Sequence, residues 1–518
     1  FAGGLLPKDT SIPDAVDHCV GLALEQQGVK PAPQTSDANL IRRLTLDLHG
    51  RIPAASEVKA FRDSKHPNKR AELVDRLMNS PGFARNHVNE LDAMLMQGSG
   101  GDLREYLTKA VGENRPWDRV FRELMLIKET DPKDKASEFL KRRVGDLDKL
   151  TVDVSVRFFG VNISCAKCHD HPEVEDWKQD RFYGMKSFFN RYFENGDFVG
   201  EREYGIVKFK TTEGEEHQAK PTFLTGAVLD EPETPEPSAE DQKKHGELLK
   251  KLAKEKKPPP SPKFSRRRLL VEAALKQGED RFFSRSIVNR LWKRMFGHGL
   301  VTPLDQMHEE NSASHPELLD WLARDLISHG YDLKRTIRGL ALSQAYSRSS
   351  QWMEGQRPHA WLFAVAEVKP LTPRQFGASL RMASTDPHHF PAEMDAEKLT
   401  KNIESTAAGG ESAGNLFEAP GEDFQVSVSE ALLFSNNERV SKDYFSDGGG
   451  KLVSRLKQIE DPKEVIETAV WNVLSREPDA EEMKLLSAYL EKRGDRKTEA
   501  CRQIVWALMT SAEFRFNH

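Results

Sequence analysis

The chain has 518 residues, of which 38% are hydrophobic and 30% are charged, and its net charge of -5 comes from 76 basic and 81 acidic side chains. These values are typical of a soluble globular protein with two to four domains, and they argue against a disordered chain, a fibrous chain or a nucleic-acid binder. No run approaches 18 apolar residues, so the sequence predicts no transmembrane helix.

The start of the chain bears on its location. The first residue is Phe1 and not methionine. Such a start fits either the mature end left by signal-peptide cleavage or an arbitrary boundary. We expect the mature end, and therefore a periplasmic or extracellular protein.

Four cysteines, Cys19, Cys165, Cys168 and Cys501, are too few for a disulfide-stapled scaffold. Cys19 and Cys501 lie in apolar helical patterns, and we predict buried free thiols at both positions. A disulfide between these two residues is the alternative for an exported protein.

Taken in order, the predicted elements are helical almost throughout. Residues 36–50, SDANLIRRLTLDLHG, have a Ser/Asp start, apolar residues at helical spacing and a glycine stop. The same form recurs in RAELVDRLMNS, REYLTKAVGE, PWDRVFRELMLIKE, HPELLDWLARDLISHG and DLKRTIRGLALSQAYS. Only residues 197–224 alternate polar and apolar side chains, which predicts a small β-hairpin insert. The expected fold class is mainly α and multi-helical, with two α-helical domains.

Two stretches change composition. Residues 228–263 are rich in Pro, Glu and Lys, which predicts a linker or solvated excursion with one charged helix over 239–256. This places a helical domain with the β insert at 1–227 and an all-helical domain at 264–518. The Gly- and Ser-rich residues 405–423 predict a long loop that could border a site.

Residues 165–169 read Cys-Ala-Lys-Cys-His, which fits the C-x-x-C-H signature of c-type haem attachment. Two thiols three residues apart can add to the two vinyl groups of one haem, and the next imidazole can ligate the iron. With four Cys and 16 His in the chain, the pattern arises by chance in about one such chain per thousand. The residues predict one covalent haem c on Cys165 and Cys168, with His169 as the proximal ligand.

Three other interpretations of this stretch stay open. A zinc site would need two further ligands, and His169 and His171 are candidates although no second cysteine pair exists. A thioredoxin-like dithiol would follow a strand in an α/β setting, whereas KLTVDVSVRFFGVNIS leads out of a mainly helical region. The last interpretation is a fortuitous pattern on a structural loop, or a site that has lost its haem.

The following residues extend the predicted site. His171 lies too close to His169 in sequence to reach the opposite face of the same iron, so we predict that it tunes the site or binds a propionate. A surface histidine in an acidic loop is the alternative. Trp177 and Tyr183 belong to the most aromatic stretch of the chain and are predicted to pack on the haem. An ordinary helix core is the alternative for them.

The stretch GVNISCAKCHDHPEVEDWKQDRFYGMKSFF resembles the cytochrome-type domain of planctomycetes and related bacteria, with its C-x-x-C-H-x-H-P pattern followed by W, D-x-Y/F-Y-G and F-F. IRRLTLDLHGRIPAASEVKAF is similar to the opening of that domain. The second half, from FSRSIVNRLWKRMFGHGLVTPLDQMHEENSASHPELLDWLA to IVWALMTSAEFRFNH, resembles its usual all-helical partner domain of uncharacterised function. The resemblance implies an exported protein with one haem, held at Cys165, Cys168 and His169.

The ligand on the other face of the iron decides the chemistry of a haem. Met307 is the first candidate because PLDQMHEENSASHPELL is the most unusual polar stretch of the second half. Met295, Met185 and the neighbouring His308 are the other candidates. The sequence His315-Pro316 in the same stretch predicts a helix start, so capping and packing can also explain it.

The predicted function is an exported monohaem c-type cytochrome that transfers electrons with an unidentified redox partner. One alternative is a haem-dependent oxidoreductase that acts on a small molecule, such as a carbohydrate, in a cleft between the two halves. Another is a structural or binding component of a cell-envelope assembly. We expect a redox partner protein or a small-molecule substrate, and no nucleic acid.

Overall fold

The computed structural model describes residues 6–97, 103–127, 131, 133–171, 174, 175, 177–276, 281–419 and 433–518, with residue 281 described by its backbone alone. The α-helices, in chain order, are α1 Ile12–Gln26, α2 Asp37–His49, α3 Ala55–Asp63, α4 Lys69–Met78, α5 Pro81–Met96, α6 Leu103–Gly112, α7 Trp117–Met125, α8 Glu138–Lys141, α9 Leu147–Phe159, α10 Gln179–Ser187, α11 Ala239–Lys254, α12 Arg266–Ala274, α13 Arg281–Phe296, α14 Pro316–Ser328, α15 Leu333–Leu342, α16 Pro373–Ser384, α17 Ala396–Gly410, α18 Glu438–Phe445, α19 Leu452–Leu456, α20 Pro462–Leu474, α21 Ala480–Lys492, α22 Lys497–Met509 and α23 Ala512–Arg515. Short 3₁₀ helices include Cys165–Lys167, Ala360–Leu362 and Glu411–Leu416.

The strands are β1 Tyr192–Asn195, β2 Phe198–Glu201, β3 Val207–Lys210, β4 Glu216–Ala219, β5 Lys369–Pro370 and β6 Phe516–Asn517. They form two-stranded antiparallel sheets in the pairs β1–β2, β3–β4 and β5–β6. The predicted mainly α fold is therefore confirmed. The predicted single hairpin near 197–224 is in fact two hairpins, and the first begins at Tyr192.

Local sequence signals set the helix ends where they were expected. At the start of α2, the Ser36 hydroxyl accepts a hydrogen bond from the backbone N–H of Asn39, at 3.2 Å. Gly50 ends that helix with φ +69°, a left-handed conformation that glycine adopts without steric cost. Helix α14 begins at Pro316, directly after His315. The predicted helix start at this Pro is confirmed.

The chain forms two compact units. The first takes its described residues from Phe1–Cys19, Val88–Arg294 and His298–Ile337, and the second from Val20–His87, Met295–Gly297 and Arg338–His518. These bounds differ from the segments 1–227, 228–263 and 264–518 that composition suggested, because each unit packs together parts of the chain that are distant in sequence.

The segment 228–263 belongs to the first unit. It contains the charged helix α11, which lies within the predicted range 239–256. Glu231 of this segment forms ion pairs with Arg266 and Arg191. The part of the predicted linker around Glu231 is thus held against the first unit by buried arginines.

The core of the first unit is aromatic. The rings of Phe121 and Phe158 have centroids 4.8 Å apart, and those of Phe121 and Phe283 are 4.9 Å apart. The ring of Trp117 stacks on Phe283 at 6.2 Å. Replacing a buried Phe or Trp by Ala typically costs about 3–5 kcal/mol of folding stability. Because Phe158 lies on α9, this cluster anchors the helix that leads into the C-x-x-C-H stretch.

The predicted long loop at 405–423 is wrong for its described first part. Helix α17 continues to Gly410, and Glu411–Leu416 form a 3₁₀ helix. A Cβ at Gly410 would lie 2.5 Å from the carbonyl oxygen of Gly377 in α16. The glycines therefore allow close packing of two helices in the second unit and do not mark a loop. Residues 420–423 lie outside the described residues.

The two remaining cysteines are free thiols, so the alternative of a Cys19–Cys501 disulfide is wrong. Cys501 is buried, as predicted, and burial raises the pKa of its thiol. Cys19 is only half-buried, and burial together with Glu317 raises its thiol pKa to about 11. Within the described ranges, every helix is too short or too polar to cross a bilayer.

Candidate functional site

Helix α9 ends at a glycine, and the C-x-x-C-H stretch follows a few residues later. Gly160 ends α9 with φ +68°. A Cβ on this residue would lie 3.1 Å from the carbonyl oxygen of Leu304 and 3.2 Å from the hydroxyl of Ser286. The positive φ strongly favours a glycine here, and the space around a Cβ is tight. Gly160 turns the chain out of the helix and against the segment that contains Leu304.

The residues after Gly160 pair with the polar stretch of the second half. Val161 and Gln306 form an antiparallel bridge, and the backbone N–H of Met307 donates to the Gly160 carbonyl at 3.0 Å. The backbone N–H of Asn162 donates to the Asp305 carbonyl at 2.7 Å, and its side-chain amide donates to the Asp305 carboxylate at 3.1 Å. The segment Asp305–His308 thus runs directly beside the approach to the motif.

The C-x-x-C-H stretch itself, Cys165–His169, is a single tight turn, which we call the CxxCH turn. Cys165–Lys167 form a 3₁₀ helix, and the backbone N–H groups of Cys168 and His169 donate to the Cys165 carbonyl at 3.3 and 3.4 Å. In a 3₁₀ helix, side chains three residues apart lie on the same face. The two thiols therefore share one face of the turn, and both are exposed, while Ala166 is fully buried.

Lys167 fastens the turn to its surroundings. Its carbonyl oxygen accepts a hydrogen bond from the Tyr183 hydroxyl at 3.1 Å. Its ammonium group lies 2.8 Å from the Asp148 carboxylate, which also binds Lys186 at 2.6 Å. Burial alone would raise the pKa of Asp148, but the two ammonium groups lower it below its usual value. The turn is thus held to α9 and α10 by groups that leave the thiols unengaged.

His169 is exposed, and one of its two ring nitrogens is in use. Nδ1 lies 2.7 Å from the carbonyl oxygen of Asp170 and must donate to it, because a carbonyl can only accept. This leaves Nε2 as the nitrogen with a lone pair, which is the form in which an imidazole ligates a metal. The Asp170 carboxylate in turn accepts from the backbone N–H of Gln179, at the start of α10.

Three aromatic side chains meet beside the turn. The ring centroid of Trp177 lies 5.2 Å from that of His171 and 5.1 Å from that of His308. The two imidazole centroids are 6.3 Å apart. Trp177 is nearly fully buried, whereas both histidines are half-buried. The structure therefore brings the predicted residues His171 and Trp177 together with His308.

Tyr183 lies on the side of the turn that faces the β insert. Its ring stacks on Phe209 of β3 with centroids 4.2 Å apart and planes 10° apart. One face of the ring is thus covered by protein, and its hydroxyl is bound to the turn. The other aromatic side chains of this stretch include Phe182, Phe188 and Phe189, which are fully buried and form ordinary core.

The predicted distal candidates fall in different surroundings. Met307 and Met185 belong to the first unit, and both side chains are buried. Met295 belongs to the second unit and is also buried, and its carbonyl oxygen accepts a hydrogen bond from Lys369 at 3.0 Å. His308 is the candidate whose ring the structure brings to Trp177 and His171.

The residues present fit a covalently attached haem c. Two exposed thiols lie on one face of a tight turn, and the histidine that follows presents Nε2 with its lone pair. In the part of the chain that the structure describes, no group of three or more His, Cys, Asp or Glu side chains is arranged to hold a metal ion.

Sequence reasoning missed a second histidine cluster, which lies in the second unit. His49 Nδ1 is 3.1 Å from the Glu404 carboxylate, and the Ser80 hydroxyl is 2.8 Å from His49 Nε2. This order resembles a catalytic Ser-His-Glu triad. However, His49 Nε2 also lies 2.8 Å from the Leu77 carbonyl, which can only accept, so Leu77 and the Ser80 hydroxyl compete for this nitrogen. In the tautomer that donates to Leu77, Nε2 cannot accept the proton of Ser80, so these distances alone do not establish a nucleophile and base pair.

Glu404 is the centre of this cluster. Besides His49, it binds Arg85 at 2.6 Å and Arg51 at 3.4 Å, and Arg51 also binds Glu57 at 2.9 Å. Burial alone would raise the pKa of Glu404, but His49, Arg51 and Arg85 hold it well below its usual range. We call this set, completed by Glu411 on Arg85, the buried ionic network.

Two models of known families match parts of the chain. Residues 15–194 match the family model PSCyt2, described as a protein of unknown function (DUF1549), and residues 266–412 match PSD1, described as a protein of unknown function (DUF1553). Both are planctomycete-type families. No curated protein and no solved structure shows a significant match to the chain. The first of these matches includes the CxxCH turn.

Proposed function

We propose that this chain, in which a PSCyt2 domain precedes a PSD1 domain, is an exported monohaem c-type cytochrome that exchanges electrons with a redox partner protein. Haem c would be attached through Cys165 and Cys168 and ligated by His169. The observation that carries the proposal is the CxxCH turn. Its thiols are exposed on one face, and its histidine is fixed in the tautomer that leaves Nε2 free for a metal.

When bound, the haem supplies an iron that changes between two oxidation states. The residues of this chain hold and orient it. Asp170 fixes the ring of His169 through the hydrogen bond to Nδ1, and Asp148 holds the turn through Lys167. Because the turn lies at the protein surface, a partner could approach closely, which favours electron transfer. The exported location rests on the resemblance of this domain to exported cytochrome-type domains.

Besides His169, His308 would hold the iron in preference to the methionines. The segment Asp305–His308 is hydrogen-bonded to Gly160 and Asn162, directly before the turn. Within that segment the Met307 side chain is buried, whereas the half-buried His308 contacts Trp177. His169 and His308 would then hold the iron together, and an iron held by two such residues would supply electron transfer.

The first experiment tests attachment. The protein is expressed behind an added bacterial export signal in a host that matures c-type cytochromes, and haem is detected on a denaturing gel. We expect haem on the parent protein, none on the Cys165→Ser/Cys168→Ser variant, and full retention on Cys19→Ser, which removes a thiol outside the turn. A parent protein that is exported and carries no haem contradicts the proposal and favours a structural role.

The second experiment tests the axial ligand by absorption and electron paramagnetic resonance. We expect a low-spin spectrum that carbon monoxide does not change in the parent protein and in Met307→Leu. In His308→Ala, the iron should become high-spin and bind carbon monoxide. A change in Met307→Leu with none in His308→Ala would show that the ligand is Met307. A parent protein that is already high-spin and binds carbon monoxide would favour the small-molecule oxidoreductase instead.

A further inference from the structure

A cleft in the second unit has the size and lining of a ligand site. It has a volume of about 490 Å³ and lies between the turn after α1 and a loop before the 3₁₀ helix Ala360–Leu362. Small-molecule sites commonly have volumes of about 300–1,000 Å³ and combine aromatic side chains with a few polar groups. We call it the tryptophan cleft, after Trp352 and Trp361 in its lining.

Both tryptophans are half-buried and held in defined orientations. The ring of Trp361 stacks on His359, with centroids 6.2 Å apart and planes 14° apart. The indole N–H of Trp352 donates to the Gln356 carbonyl at 3.1 Å. Within the described residues, the indole N–H of Trp361 has no protein acceptor, so it can donate to a ligand. The cleft thus offers two indole rings and one indole donor.

The loop that carries Trp352 is fixed at both ends by one arginine. The guanidinium of Arg357 donates to the carbonyl oxygens of Ser350 and Ala366, each at 3.1 Å, and to the carboxylate of Glu367 at 3.3 Å. A loop that is ordered before binding loses less conformational entropy when the ligand arrives. The aromatic lining of the cleft is therefore preorganised.

The charges of the cleft nearly cancel. Lys30 and Glu354 are exposed lining residues of opposite sign, and the charge of Arg357 is matched by Glu367. The remaining polar lining includes the exposed amides of Gln27 and Gln356, which can both donate and accept. This composition disfavours a phosphorylated or strongly charged ligand and favours a neutral one that is rich in hydroxyl groups.

We propose that the tryptophan cleft binds a neutral carbohydrate. A pyranose ring has a face of C–H groups that packs on an indole ring, whose π-face is electron-rich. Its hydroxyl groups at the rim match the amides and the free indole N–H. The proposal concerns binding alone and does not depend on haem, so either proposal can fail without the other.

Affinity gel electrophoresis of the purified full chain tests the proposal, with hydroxyethylcellulose, xylan or dextran in the gel. We expect at least one polymer to retard the protein, and Trp352→Ala and Trp361→Ala to weaken its apparent affinity at least tenfold. Trp506→Ala is the matched control, because Trp506 is an exposed tryptophan on α22 of the same unit and does not line the cleft. Circular dichroism verifies that each variant is folded.

A conservative variant keeps the test decisive if an alanine variant fails to fold. Trp361→Phe retains an aromatic face and removes the indole N–H, so it should bind more weakly than the parent protein but more strongly than Trp361→Ala. The proposal is overturned if no polymer retards the parent protein, or if the two cleft variants behave like Trp506→Ala. Binding of a proline-rich peptide array that requires both tryptophans, in place of the polymers, would also overturn it.

Discussion

The CxxCH turn and the buried ionic network both contain a histidine held by hydrogen bonds, but they use their polar groups in opposite ways. In the network, His49, Arg51 and Glu404 are buried and bind one another. In the turn, the thiols of Cys165 and Cys168 and the Nε2 atom of His169 lie at the surface, while backbone groups and Lys167 hold the turn in place.

This difference in burial indicates that the network contributes to stability, whereas the turn is available for chemistry. A buried charge that loses its partner strongly destabilises the fold, so substitutions in the network are expected to reduce stability. The polar groups of the network bind one another and are not available for a reaction. A surface side chain can be replaced with little effect on folding, and it remains available to bind a cofactor. A histidine near a carboxylate and a serine is therefore weak support for catalysis until the acceptor of each ring nitrogen is known.

The largest expected effect is in the network. Glu404→Gln removes the carboxylate shared by His49, Arg51 and Arg85, and we expect unfolding of the second unit to become easier by about 3–5 kcal/mol. Hydrogen exchange in α2 and α17 measures this change. Glu477→Gln, at an exposed residue paired with Arg62, is the control and should change stability by less than about 0.5 kcal/mol. If Glu404→Gln lowers the free energy of unfolding by less than about 1 kcal/mol, the buried ionic network does not contribute more to stability than the surface pairs of the CxxCH turn.

A buried histidine makes the first unit sensitive to acid. Burial lowers the pKa of His315 from 6.5 to about 4. Between these values the unfolded chain binds more protons at this residue than the folded chain does, so stability is lost as pH falls from 6.5 to 4. The expected loss is about 3 kcal/mol. We expect His315→Asn to flatten this part of the pH–stability curve.

The glycine before the turn should have an intermediate effect. Gly160→Ala places a Cβ at positive φ and 3.1 Å from the Leu304 carbonyl. We expect a loss of about 1–3 kcal/mol and faster hydrogen exchange in residues 161–168. Gly112→Ala is the control, because a Cβ there meets no atom within 4 Å. Equal exchange in both variants would show that Gly160 does not position the turn.

The smallest effect is expected where the turn is held by surface charge. Asp148→Asn removes the partner of Lys167, and since both side chains are partly exposed we expect a loss below about 1 kcal/mol that shrinks as salt is added. The pKa of Asp148 is lowered from 3.8, so the contribution of its pairs is present above that pH and is lost as pH falls below it. A loss as large as that of Glu404→Gln would contradict the prediction that the pairs of Asp148 contribute as exposed surface charges.

Much of the fold was predictable because the signals are local. Ser36 and Gly50 bound α2, and Pro316 begins α14, since capping depends on residues within one turn of the helix. The C-x-x-C-H pattern of Cys165, Cys168 and His169 was recognised from the spacing of these residues in the sequence alone. The glycines near Gly410 were misread as a loop because their role depends on a partner helix that is distant in sequence.

The sequence by itself predicted the helical class, a β insert near residues 197–224 and the C-x-x-C-H pattern of the CxxCH turn. Only the tertiary structure placed His308 beside Trp177, gathered the network around Glu404 and built the tryptophan cleft. The reason is physical. Helix ends and thiol spacing are set by neighbours along the chain, whereas ion pairs and clefts join segments that only the packing of the folded chain brings together.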